Sequence, residues 1–202
     1  EKRRLPQVKS KDIKYVLNIA MRLTVIVAVV VAMLATVNAV TKDRIAENNA
    51  ASRNAACGEL IEGAEFESFD ISALNVDYSD ITNFDKNSVA VWRGKKNGEL
   101  AGWCVEVTGK GYSSDGIGLI VGISSDGQTV LGVRCVSSSE TSGIGLKVVS
   151  DDYLSKFADR TSSEVSSVDA VSGATRTSRG VKDGIKAAVA CVKAITEQEG
   201  GR

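Results

Sequence analysis

The sequence predicts an α+β fold: one N-terminal transmembrane helix, then a domain of antiparallel strands closed by a C-terminal helix. Three observations carry that expectation. An uncharged apolar run lies near the N-terminus, two turn signals in the middle are flanked by strand-like segments, and apolar residues near the C-terminus recur at helical spacing.

Residues 1–14 form a basic tail in which Lys2, Arg3, Arg4, Lys9, Lys11 and Lys14 outweigh Glu1 and Asp12. The tail carries +4 and the chain as a whole is neutral, so the remainder carries −4. A neutral chain has no global basic field, and no nucleic-acid partner is expected. The run Leu23–Val37 holds no charge and only two threonines as polar groups. Continued to Val40 it makes about 27 Å of helix, close to the ~30 Å hydrocarbon core of a bilayer. Residues 15–40 are therefore expected to span a membrane, with Arg22 snorkelling to the near interface. The positive-inside rule then places residues 1–14 in the cytoplasm and everything after Val40 outside, making a single-pass protein of the inner or plasma membrane. Val37-Asn38-Ala39 resembles a signal-peptide cleavage site, but the apolar run is long for a signal sequence, which favours an uncleaved anchor. Its apolarity on every face argues against a buried core helix.

Residues 41–62 read as a polar, alanine-rich helical stalk and residues 63–202 as the domain. Within it, residues 63–87 look like loops with short strands. Val89–Trp92 and Leu100–Val107 flank Lys96-Asn97-Gly98-Glu99, and Asn-Gly is the favoured pair of a type I′ hairpin turn. Gly118–Ile123 and Thr129–Val136 flank Ser125-Asp126-Gly127-Gln128 in the same way, giving a meander of about four strands. A short helix is expected over 151–158, with Asp151 or Asp152 as N-cap. Val181, Ile185, Ala188, Val189, Val192 and Ile195 predict an amphipathic helix over roughly 179–197.

The chain contains no histidine, which removes imidazole bases, histidine metal ligands and Ser–His or Cys–His nucleophile pairs. Cys57, Cys104, Cys135 and Cys191 are scattered with no C-x-x-C, so no metal or iron–sulfur site is expected. Scattered cysteines are most often small buried apolar residues, and their pairing stays open. No catalytic residue is assigned. Lys147 is not spaced as a Ser-x-x-Lys pair, and no Gly-x-Gly-x-x-Gly turn offers a nicotinamide site. Any redox work must come from an organic cofactor.

One segment does suggest a ligand. Asp169-Ala170-Val171-Ser172-Gly173-Ala174-Thr175-Arg176-Thr177-Ser178 is small, hydroxyl-rich and opens onto a helix N-terminus, where free N–H groups and the helix dipole attract anions. Gly173 admits close backbone approach, and Arg176 and Arg179 add charge for a phosphate. On residue types alone, an ordinary loop with a Ser/Thr N-cap accounts for the segment equally well.

Asp-x-x-Ser-Gly-Ala-Thr at 169–175, followed by Thr177-Ser178, resembles the flavinylation motif of the FMN-binding domain family. That family includes the G subunit of the Rnf ferredoxin:NAD+ oxidoreductase and the C subunit of the sodium-pumping NADH:quinone reductase. The loop Glu140-Thr141-Ser142-Gly143-Ile144-Gly145 is similar to the family's loop beside the isoalloxazine ring, with Ser142 where proline is usual. Gly111-Tyr112-Ser113, leading into Gly118–Ile123, resembles the family's strand pair. The resemblance implies FMN joined by a phosphoester to Thr175, with Thr177 as the nearest competing hydroxyl. It implies further cofactor contacts from Ser172, Gly173, Ala174, Thr177 and Ser178, and from Glu140, Thr141, Gly143, Ile144, Gly145 and Leu146. Glu140 would either tune the flavin electrostatically or hydrogen-bond its own loop.

The short tail and lone span are more similar to the Rnf protein than to its quinone-reductase counterpart. The implied function is an electron-relay subunit of an ion-translocating membrane complex passing electrons from ferredoxin to NAD+. Its implied partners are other membrane subunits, one with a second flavin, a flavin transferase and membrane lipid. A membrane-anchored flavin-binding sensor module and a quinone-reductase C-type subunit are the alternatives.

Overall fold

The computed structural model describes residues 10–200. Lys2, Arg3, Arg4 and Lys9 of the basic tail therefore lie outside the described residues. The first element, α1, is a continuous helix over Ser10–Leu60. Its apolar stretch is exposed all round, and the helix is long and apolar enough to cross a membrane. The hydroxyls of Thr24, Thr36 and Thr41 donate to the carbonyls of Ala20, Ala32 and Val37 at 2.9, 2.8 and 2.8 Å. Those polar groups are thus satisfied within the helix, as an apolar surrounding requires.

The second compact unit begins at Asn49, inside α1. It holds β1 (Glu65–Phe69), β2 (Phe84–Lys96), β3 (Glu99–Gly109), β4 (Ile117–Ser124), β5 (Thr129–Ser138) and β6 (Arg160–Thr161). These form one antiparallel sheet in sequence order. After β5 come α2 (Asp151–Leu154), α3 (Ser162–Ser167) and α4 (Thr175–Gly200). The class is α+β. The meander has six strands rather than about four, because β1 and the two-residue β6 add short edges that carry little periodic signal.

Both turn signals form as chemistry demands. Asn97 and Gly98 adopt φ of 54° and 86°, the two left-handed residues of a type I′ turn. At the second hairpin the Asp126 carboxylate accepts hydrogen bonds from the Ser124 hydroxyl and the Gln128 N–H, and Gly127 takes φ of 74°.

Strand alternation divides the apolar side chains between two faces. Val105, Val107, Leu119 and Val121 pack with Val181, Ile185, Ala188, Val192 and Ile195 of α4 in the main core. Cys104 and Ile120 point the other way and pack with Ala56 and Cys57 from the last turns of α1, with Leu60, Phe66, Trp92 and Val136 around them. Leu60 fits because the strands beneath it carry no side chain: a Cβ on Gly122 would lie 2.9 Å from Leu60 Cβ, and one on Gly132 2.7 Å from Leu60 Cδ2. The Arg53 guanidinium lies 4.4 Å over the Trp92 ring and 3.9 Å from the Glu106 carboxylate.

The structure extends some expectations and corrects others. Residues 41–60 of the expected helical stalk continue α1 without a break, and the last turns of that helix pack on the sheet. Cys57 and Cys104, 47 residues apart, form a disulfide that ties α1 to β3. The simple buried-thiol expectation holds for Cys191, while Cys135 is half-buried; burial pushes both thiols above the ordinary range. The N-cap of α2 is Ser150, with Asp151 and Asp152 in the first turn. Helix α4 starts at Thr175, four residues before the expected start of the amphipathic helix.

A soluble chain starting at Asn49 should fold cooperatively, whereas one starting at Gly63 loses Ala56, Cys57, Leu60 and the disulfide. The shorter chain is expected to be less stable by about 3 kcal/mol or more, read from the urea midpoint. Equal midpoints would show that the end of α1 contributes nothing to the domain.

Candidate functional site

The segment before α4 is held by side chains that reach back to its backbone. Ser178, in the first turns of α4, accepts from the Val171 N–H at 3.1 Å and donates to the Ala174 carbonyl at 3.0 Å. The Tyr153 hydroxyl donates to the Asp169 carbonyl at 3.0 Å, and burial holds this phenol above its ordinary range. Lys182 caps the Val168 carbonyl at 2.6 Å. The Ala174 N–H closes a turn onto the Val171 carbonyl at 2.9 Å, and Gly173 within it takes φ of 79°, a conformation that L side chains rarely adopt. The result presents Thr175 as the first residue of a 26-residue helix, with its side chain in solvent.

Glu140 forms the other half of the site. It is 7% exposed, and each carboxylate oxygen is engaged. Oε1 accepts from the backbone N–H groups of Tyr112 and Ser113, both at 2.9 Å. Oε2 accepts from the Thr177 hydroxyl at 2.7 Å. Two glycines make room for it. A Cβ on Gly111 would fall 2.2 Å from Glu140 Oε1, and one on Gly145 would fall 2.8 Å from Glu140 Cβ. One carboxylate thus joins the β3–β4 loop, the loop after β5 and the first turn of α4. The Glu140 side chain does not bond its own loop; its acceptor contacts go to the β3–β4 loop backbone and to the Thr177 hydroxyl.

Above this junction lies a cleft of about 270 Å3 lined by Tyr112, Glu140, Thr141, Ile144, Gly145, Gly173, Ala174, Arg176 and Thr177. Three sequence-distant stretches therefore meet there. Thr175 and Ser172 are exposed beside the lining residues, as are Gly143 and Leu146 of the second loop. Ser178 is fully buried beneath, acting on the loop backbone instead of the cleft. Tyr112, 75% exposed, is a lining residue that the site expectation omitted. The available signal was an aromatic residue directly after a glycine in a strand-connecting loop. Ile144 is also exposed and gives the cleft an apolar lining residue. A larger cleft of about 560 Å3, where Asp77 and Asp80 face Lys186 and Lys193, contains no residue of either loop and gathers no convergent chemistry.

These residues fit a flavin mononucleotide. The first N–H groups of α4 lack intrahelical acceptors, and Arg176 stands beside them, which suits a phosphate. An ideal Cβ at Gly173 would lie 3.8 Å from Ile144 Cγ2, in ordinary van der Waals contact, so the two loops approach each other closely here and the cleft beside them is the space a ring could take.

Residues 111–190 match the FMN-binding domain family. The chain is 32% identical over 193 residues to the G subunit of the Na(+)-translocating ferredoxin:NAD(+) oxidoreductase complex of Acetobacterium woodii, covering 88% of this chain and 92% of that one. It is 30% identical over 196 residues to the G subunit of the ion-translocating oxidoreductase complex of Methanosarcina acetivorans, covering 94% and 99%. It is also 30% identical over 134 residues to the G subunit of the proton-translocating ferredoxin:NAD(+) oxidoreductase complex of Clostridium ljungdahlii, covering 61% and 71%.

Glu140→Ala should strand three donors at once and lower domain stability by about 3 kcal/mol. Glu140→Gln, whose carbonyl still accepts from both backbone donors, should recover about half of that loss. Amide exchange at Tyr112 and Ser113 is the local reading, and unchanged protection in Glu140→Ala would refute the assigned role.

Proposed function

The chain belongs to the family of G subunits of ion-translocating oxidoreductase complexes, and from that premise we propose that it is an electron-transfer subunit bearing covalent FMN at Thr175. The complex is of the ferredoxin:NAD+ type. The observation that carries the reading is the placement of Thr175, exposed at the start of α4 between Ala174 and Arg176, which line the cleft together with Tyr112, Glu140, Thr141, Ile144 and Gly145.

Each group has a distinct task. The Thr175 hydroxyl supplies the ester oxygen. The first N–H groups of α4, with Arg176 and Arg179, neutralise the phosphodiester. Ser172, Gly173 and Ala174 form the approach to it, while Thr141, Gly143, Ile144, Gly145, Leu146 and Tyr112 border the ring. Thr177, Ser178 and Glu140 hold the frame. When bound, FMN supplies reversible one- and two-electron chemistry that no side chain here provides. A tether through the phosphate leaves the ring edge free and prevents loss of the cofactor.

Residues 15–40 cross the membrane in contact with lipid, residues 1–14 remain cytoplasmic, and the unit from Asn49 onward is extracytoplasmic. The Cys57–Cys104 disulfide supports that side, since such bonds persist in oxidising compartments. The partners are the other membrane subunits, including a second flavin-bearing one, and the flavin transferase that loads Thr175. Similarity along nearly the whole length of two of these relatives favours this assignment over a quinone-reductase C-type subunit.

The denatured chain should fluoresce as a flavin band on a gel, and Thr175→Ala should abolish that band while leaving the protein in the membrane. A Thr175→Ala chain of undiminished fluorescence would remove Thr175 as the attachment point. The loaded chain alone, kept anaerobic, should be bleached by a strong low-potential reductant and stay oxidised with excess NADH. Rapid bleaching by NADH would make the protein a dehydrogenase in its own right.

A further inference from the structure

Two threonines stand two residues apart at the start of α4, and both carry a hydroxyl that a transferase could esterify. We propose that Glu140 selects between them, holding Thr177 back so that Thr175 is the acceptor; this inference rests on the covalent reading above.

The two side chains leave the helix roughly 200° apart, given about 100° per residue. Thr175 is exposed, whereas Thr177 is 2% exposed and its hydroxyl donates to Glu140 Oε2 at 2.7 Å. The carboxylate cannot swing away freely, because Oε1 is held by two backbone N–H groups and Gly111 and Gly145 close around it. Ser178 is excluded separately, its hydroxyl being engaged by Val171 and Ala174.

The chemistry strengthens the choice. A threonine oxygen attacks the flavin-side phosphorus of a flavin dinucleotide. The oxygen–phosphorus ester bond forms and the phosphoanhydride bond breaks. A nucleoside monophosphate leaves, and the hydroxyl proton passes to a base on the transferase; no electron is transferred. At Thr175 the resulting phosphodiester anion meets the positive end of α4. At Thr177 the same reaction would remove the hydrogen that Glu140 accepts and place a second negative charge against a buried carboxylate. Selection therefore comes from position and charge together.

Trypsin separates the two acceptors, since cleavage after Arg160, Arg176 and Arg179 gives peptides 161–176 and 177–179. The full-length chain, co-expressed with the flavin transferase, is digested and the FMN mass located. Wild type should carry it on 161–176 alone. Thr175→Ala should leave 177–179 unmodified, to below about one part in a hundred of the wild-type level. Thr175→Ala combined with Glu140→Gln, which removes the charge but keeps the shape, should raise modification of 177–179 at least tenfold. Thr175→Ala with substantial FMN on 177–179 would overturn the proposal, as would a folded double variant with no rise. The Thr175→Ala arm alters only an exposed position, so substantial FMN on 177–179 in that variant overturns the proposal even where the double variant fails to fold. A wild-type chain with no FMN on either peptide would instead sink the covalent reading itself.

Discussion

The site depends on one buried carboxylate. Through the hydrogen bonds of its single side chain, Glu140 joins the β3–β4 loop, the loop after β5 and the first turn of α4. A charged acceptor suits the role because it satisfies two backbone donors and a hydroxyl at once, and donors left unpaired in a buried place are costly. The requirement propagates outward. Gly111 and Gly145 must lack side chains so that the carboxylate can enter, and Thr177 must present a hydroxyl at the third position of α4. Helix α4 is in turn fixed against the sheet by a close backbone approach, where a Cβ on Gly109 would fall 2.4 Å from the Gly180 carbonyl oxygen. The cleft is thus a by-product of packing that leaves little freedom in where its walls stand.

The opposite face of the sheet follows a similar logic with different means. Gly122 and Gly132 leave a depression that Leu60 fills, and the Cys57–Cys104 bond secures the helix end above it. A helix end on an otherwise thinly covered sheet face buries little area, and a covalent link compensates by restricting the unfolded chain. The same residues that end the long α1 helix are therefore part of the domain core.

Much of this is legible from the sequence because the signals are local. Asn97-Gly98 and Asp126-Gly127 specify their turns through φ preferences alone, and the spacing from Val181 to Ile195 specifies a helix face. The seven residues from Asp169 to Thr175 are recognisable by their order. Most of the missing parts are non-local. No spacing rule links Cys57 to Cys104, and nothing in the neighbourhood of Glu140 says that its partners are residues 112, 113 and 177. Tyr112 escapes for the same reason, since its place at the cleft depends on a pairing 28 residues away. Periodicity places the start of α4 four residues late because Thr175, Arg176, Thr177 and Ser178 interrupt the apolar pattern; their helical state comes from the Ser178 and Glu140 contacts.

The distribution of reactive groups bears on how such a subunit passes electrons. The chain has no histidine, one cysteine pair is already joined, and burial pushes the remaining two thiols toward their protonated, less reactive form. On the proposed reading the flavin, not a side chain, then carries the electrons in this domain. Exposed Tyr112 and Ile144 stand on the open side of the cleft, while buried Glu140 and Thr177 close its floor. Electron transfer weakens with distance, so the exposed side of the cleft, where a partner can come nearest the ring, is the route of exchange that this architecture favours.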